Sequence, residues 1–217
     1  MSGNWSSLDA QDLIMNRRYV GGKLGTLKDE PIHLLLPVGN MGGIRTATSN
    51  NRKMPYLVAL FTTGKVPEWP DSIDLLNGRI EYWGDNKKAR VDMHNTPSGG
   101  NRLLRDCFRL LSLGDRSAIP PFFLFEHAGA DRDVFFRGLL VPGWDGMPAA
   151  ENLVAVDVQI DGIAFQNYRA RFTVLGAQKI DREWVSELRS GRQPQSHAPS
   201  EWTHWVSGFA PQPWTKG

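Results

Sequence analysis

The sequence is poor in the features that would fix a function outright. It holds one cysteine, Cys107, in 217 residues. A single thiol forms no internal disulfide and supplies no structural zinc site, which points to a reducing, cytoplasmic compartment. No run of about 18 apolar residues is present, so no membrane-spanning helix is expected. Met1 to Ala10 lacks a basic stretch followed by an apolar one, so no secretory signal is read there. There is no Gly-x-Ser-x-Gly elbow, and His33, His94, His127, His197 and His204 are scattered. The expectation is therefore no catalytic residue, no metal and no cofactor in this chain. An excess of one charge is lacking too: 25 basic against 23 acidic residues leave a formal net charge of +2. So small a total neither demands nor excludes nucleic acid, and the distribution of charge decides more.

What is present suits a folded protein. A hydrophobic share of 41% can build a core. The 22 glycines and 14 prolines favour turns over long helices. Ile32 to Val38, Tyr56 to Thr63, Arg79 to Trp83, Phe122 to His127, Val134 to Val141, Leu153 to Ile160 and Tyr168 to Leu175 read as strands. Asn101 to Leu113 carries Leu103, Leu104, Cys107, Phe108 and Leu111 at helical spacing, and Asp181 to Arg189 opens on a capping aspartate. A further short helix fits Leu8 to Arg18. These elements predict an α+β, mainly β fold, a curved sheet or barrel with flanking helices. Three segments are expected: a polar, partly helical arm over 1–30, the main domain over 31–190, and a Pro- and Trp-rich linker over 191–217.

Two clusters carry chemistry. Tyr82-Trp83-Gly84-Asp85-Asn86 delivers two flat rings, a bend and a carboxylate at a strand end. Such a strand end can stack a heterocycle and accept from an exocyclic amine, or it can be ordinary core with a capped turn. Asn86 to Arg109 then gathers six basic residues, Lys87, Lys88, Arg90, Arg102, Arg105 and Arg109, against Asp92 and Asp106. This stretch is either a phosphate-binding loop leading into a helix N-terminus or a solvated surface. The loop Gly39 to Arg45 lacks the spacing of a dinucleotide fingerprint, yet it permits close backbone approach with Arg45 as a charged fork. Pro70-Asp71 followed by Asp85-Asn86-Lys87 formally fits a magnesium nuclease using Asp71, Asp85 and Lys87. The tryptophans of the tail leave a protein-interaction module as a further alternative.

Six stretches resemble a known family: GNMGGIR (Gly39 to Arg45), GRIEYWGDN (Gly78 to Asn86), HNTPSGGNRLL (His94 to Leu104), FFRGLLVPG (Phe135 to Gly143), FQNYRARFTVL (Phe165 to Leu175) and IDREWVSEL (Ile180 to Leu188). In order and content they resemble the SRA-like N-terminal DNA-recognition domain of AspBHI-type modification-dependent restriction endonucleases. The resemblance covers about residues 30–210. It implies a crescent-shaped barrel that grips duplex DNA and flips a modified cytosine, 5-methylcytosine foremost, into an aromatic pocket. It implies pocket roles for Tyr82, Trp83, Gly84 and Asp85, with Asp85 accepting from the cytosine amine and Gly84 letting the backbone approach the base. It implies DNA contacts by Arg45, Lys87, Lys88, Arg90, Asn101 and Arg102. A nuclease domain, usually C-terminal in such proteins, is expected outside this chain. One departure is local: the family has Pro-Gly shortly after GDN, where this chain has Lys87-Lys88-Ala89-Arg90.

Overall fold

The computed structural model describes residues 5–50, 52–89, 91–129, 131–160, 162–191 and 195–214. Eleven strands appear among them: β1 (Leu13–Ile14), β2 (Arg18–Tyr19), β3 (Ile44–Ala47), β4 (Leu57–Thr62), β5 (Ser72–Asp74), β6 (Arg79–Trp83), β7 (Phe122–His127), β8 (Val134–Pro142), β9 (Leu153–Ile160), β10 (Ile163–Val174) and β11 (Lys179–Ile180). The α-helices are α1 (Ile32–Leu35), α2 (Gly100–Ser112), α3 (Ala149–Asn152), α4 (Arg182–Ser190) and α5 (Ser200–Val206). None is long and apolar enough to cross a membrane.

The main sheet runs β3-β4-β7-β8-β10-β6-β5, with β2 on β8 and β9 on β10. Only the β4–β7 pairing is parallel among its ladders. β10 is the organising strand. Its first part pairs with β9 and its last residues with β8, while Arg169 to Thr173 pair with β6. β4 and β7 read as near-continuous apolar runs because both of their faces are covered. α2 lays its apolar face on the sheet, with Phe108 edge-on to Phe172 and Phe172 tilted against Phe122. Cys107 sits on that face, fully buried, and burial pushes its thiol up, so it is a core residue.

Several expectations need correction. Ile32 to Val38 is not a strand. It opens with the single turn of α1, and Leu36 turns extended before Pro37. Ile32, Leu35 and Leu36 are all fully buried, and a continuous apolar run does not separate buried helix from buried strand. No helix spans Leu8 to Arg18; a 3-10 turn ends at Ala10, and β1 and β2 follow. Nor is the N-terminal segment a free arm. β1 pairs with β11, β2 pairs with β8, and Tyr19 is fully buried with its hydroxyl donating to Asp12 O. The expected linker contains α5, whose Trp202 and Trp205 are buried in the core. Trp202 packs against Trp184 of α4, which packs against Phe123 of β7.

Candidate nucleic-acid interface

β4 and β6 lie near opposite ends of the sheet order, yet their ends meet. Tyr82 Oη donates to Phe61 O at 2.9 Å. Thr62 Oγ1 donates to Asp71 Oδ2 at 2.6 Å. The sheet therefore curls until its two sides touch, and a cavity of about 360 Å³ opens in the seam. Aromatic rings of Phe61, Trp69, Tyr82 and Trp83 line it, together with Asp71 and Arg45. Tyr82 is buried and tethered by its hydroxyl, whereas Trp83 is partly exposed. Both rings contribute to the wall.

Asp71 is the carboxylate that the cavity leaves short of partners. Oδ1 accepts from Trp83 N–H at 2.8 Å, and Oδ2 takes the Thr62 hydroxyl. Burial pushes the acid up to about 6, against the lowering pull of those hydrogen bonds and of Lys87. Beside it, the Trp69 indole N–H is buried with no hydrogen-bond acceptor. Lys87 Nζ lies 5.6 Å from the centroid of the Trp69 ring, at the cavity rim.

Asp85 borders the same cavity but has a different task. Its Oδ2 accepts from Thr96 Oγ1 at 2.7 Å, from Gly100 N at 2.8 Å and from Ser98 Oγ. Its Oδ1 accepts from Asn101 N at 2.9 Å. The carboxylate thus caps the N-terminus of α2, where orphan N–H groups and the helix dipole favour a negative charge. Asp85, expected to meet a base amine, thus caps α2 while bordering the cavity. Gly84 changes meaning as well. A Cβ there would overlap Asn101 Oδ1, so the close approach it permits is to a side chain of the protein. Three buried asparagines lock this corner. Asn101 donates to Met93 O and to Asn167 Oδ1, Asn167 donates to Gly84 O, and Asn86 donates to Gln166 O.

The expected DNA contacts divide in the same way. Asn101 is fully buried in that network, with its amide N–H groups given to Met93 O and Asn167 Oδ1. Arg45 is 5% exposed and spent on Glu30, with Nη1 at 3.0 and 2.9 Å from its two oxygens. It also donates to Gly42 O and lies over the Phe61 ring, so it braces the Gly39 to Gly43 loop from within. Lys87, Lys88 and Arg102 are exposed. Arg90 lies outside the described residues. The residues missed on the sequence alone are Phe61, Trp69 and Asp71. Asp71 was visible only as half of the nuclease pattern. Asp71, Asp85 and Lys87 of that pattern all border the cavity, but Asp85 is held by the N-terminus of α2, and no group of three or more His, Cys, Asp or Glu among the described residues could hold a metal ion.

A family model described as restriction endonuclease AspBHI N-terminal matches residues 13–215. The solved DNA recognition domain of the cytosine modification-dependent restriction endonuclease LpnPI is similar at 33% identity and TM-score 0.89, covering 100% of this chain and 96% of that one. The DNA modification-dependent restriction endonuclease AspBHI is similar at 35% identity and TM-score 0.89. There the match covers 100% of this chain and 55% of the AspBHI chain. MspJI, solved in complex with a 27-mer oligonucleotide, shares the fold at 21% identity and TM-score 0.66, over 95% of this chain and 55% of that one. No curated protein matches.

Proposed function

The chain belongs to the AspBHI N-terminal family of restriction endonucleases, and from that premise we propose that it reads modified cytosine in duplex DNA, 5-methylcytosine foremost, by flipping the base into the seam cavity. Its mainly β architecture is that of the SRA-like recognition domains. It is the recognition part of such an enzyme rather than the cutting part. The whole AspBHI chain is longer, and a nuclease domain acting beside this module completes the proposal.

The observation that carries the reading is the cavity itself: four aromatic rings and one buried, under-partnered carboxyl in a space of about 360 Å³. Asp71 takes the role first expected of Asp85, accepting from the cytosine N4 amine. The free Trp69 N–H suits the O2 carbonyl oxygen of the base. Unstacking a base costs a few kcal/mol. Stacking on the walls returns about 1–3 kcal/mol. Phosphate contacts from Lys87, Lys88 and Arg102 supply affinity without sequence information. The methyl group adds only about 0.8 kcal/mol where it is buried.

Competition binding with a duplex carrying one 5-methylcytosine against the same duplex unmodified tests this reading. Tighter binding of the modified duplex is expected, together with increased fluorescence of 2-aminopurine placed next to the modified base. Equal affinity, or cleavage of methylated plasmid by this chain with magnesium, would overturn it.

A further inference from the structure

Cytosine presents a donor, the N4 amine, directly beside an acceptor, N3. An ionised carboxylate offers acceptors only. If Asp71 met this edge ionised, one oxygen would accept from N4 and the other would face the N3 lone pair. The cavity fixes both oxygens. Trp83 N–H holds Oδ1, and the Thr62 hydroxyl holds Oδ2. Thr62 cannot turn its proton elsewhere cheaply, because its oxygen already accepts from Gly64 N–H at 3.0 Å. Each Asp71 oxygen therefore keeps one lone-pair direction for a ligand, and the two needs of the cytosine edge differ by one proton.

We propose that Asp71 reads the modified base as a neutral acid, so that flipping the base into the cavity takes up one proton from solvent. The carboxyl O–H then donates to N3 while the other oxygen accepts from N4. No other bond changes. This rests on the base-flipping reading above and adds the protonation state to it.

The surroundings favour this state. Burial already raises the acid in the free protein. Tyr82 and Asp85 lie close by, and neither brings a positive charge. The nearby charge of Arg45 is held by Glu30. Lys87 is the cation that opposes protonation, and it sits at the rim over Trp69. His127 and Arg132 line the far side of the cavity. Their charge acts on any DNA backbone, modified or not.

The test is the ratio of affinities for methylated duplex and for a duplex of A·T pairs alone, which offers no cytosine edge, measured from pH 5.5 to 8.5 at constant ionic strength. The expected ratio falls about tenfold per pH unit above pH 6 and levels off below it. Asp71→Asn has no proton to take up, and its NH2 cannot accept from Trp83 N–H or Thr62 as the acid does, so whatever ratio it keeps should not vary across this pH range. A wild-type ratio that favours methylated DNA equally at every pH would overturn the proton and leave the base reading standing. A pH-dependent ratio in Asp71→Asn would also overturn it. No preference at any pH would sink both.

Discussion

Asp71 and Asp85 border one cavity from opposite circumstances. Asp85 receives four donors from its own chain, three of them on one oxygen. Asp71 receives two and lies beside an indole N–H with no acceptor. A carboxylate held by two backbone N–H groups and two hydroxyls of its own chain builds the fold. A buried carboxyl left short of partners carries a desolvation cost that only a ligand can offset. On the proposed reading, the YWGDN stretch supplies the frame of the site, and the carboxyl offered to a ligand comes from the segment before β5.

The largest expected effect breaks this contrast at Asp85. Asp85→Ala removes a charged cap and strands the Gly100 and Asn101 N–H groups. Hydrogen bonds to charged groups contribute about 1.5–3 kcal/mol each, so a loss of roughly 3 kcal/mol or more in urea unfolding is expected. Binding to both duplexes should then fall together, following the folded fraction. If Asp85→Ala melts like the wild type and loses only its methyl preference, the two roles have been exchanged.

Next comes Asp71→Ala. Removing the acid relieves a costly burial but leaves the Trp83 N–H and the Thr62 hydroxyl without their acceptor, so a stability loss of about 1–2 kcal/mol, smaller than at Asp85, is expected. Affinity for methylated duplex should drop by roughly 2 kcal/mol, about thirtyfold, because the base edge loses its charged or acidic partner. Unmodified cytosine offers the same N4 and N3 edge, so its duplex should weaken similarly, and only a duplex without cytosine should bind as before. Fluorescence anisotropy with the three duplexes reads the difference directly.

Much of this contrast was hidden from the sequence for a physical reason. Strands β4 and β7 were legible because their apolar runs are short and bounded by turns, and β6 because its side chains alternate. α2 was legible because its apolar positions repeat at helical spacing. The partners of Asp85 come from Thr96 to Asn101, eleven to sixteen residues downstream, and nothing in YWGDN announces them. The approach of Asp71 to Thr62 depends on the curl of the whole sheet. α5 was masked by the proline and serine around it, although Trp202 and Trp205 stand three apart, a helical spacing. The run before Pro37 offered no period at all, and the proline flanks were the better guide.

A smaller effect separates the cavity from the phosphate-binding rim around it. Lys87→Ala with Lys88→Ala should weaken both duplexes by the same factor and keep the methyl preference. The slope of log affinity against log salt should become shallower by about 2, near 0.9 for each phosphate no longer neutralised. Loss of preference without a change in slope would place Lys87 inside the pocket instead of on its rim.

The smallest effect extends the comparison to a third carboxylate, remote from the cavity. Glu187 of α4 is buried, and its side chain accepts from Ser196 Oγ, from His197 N and from the His197 ring at 2.8 Å. Like Asp85, it is saturated by its own chain, and it ties the segment before α5 to α4. The His197 bond and its companions hold the Glu187 acid down to about 2, while Glu187 raises His197 above its ordinary 6.5. The glutamate's share of stability is complete above pH 4.5 and is lost as pH falls toward 2. The histidine's share is complete below pH 6.5 and is lost as pH rises through its raised folded value. The charged pair therefore stabilises the tail most between about pH 4.5 and 6.5. His197→Ala should lower the melting temperature most in that window and less at pH 8, with DNA preference unchanged. A Tm difference independent of pH would mean that His197 holds the tail by packing and neutral hydrogen bonding alone.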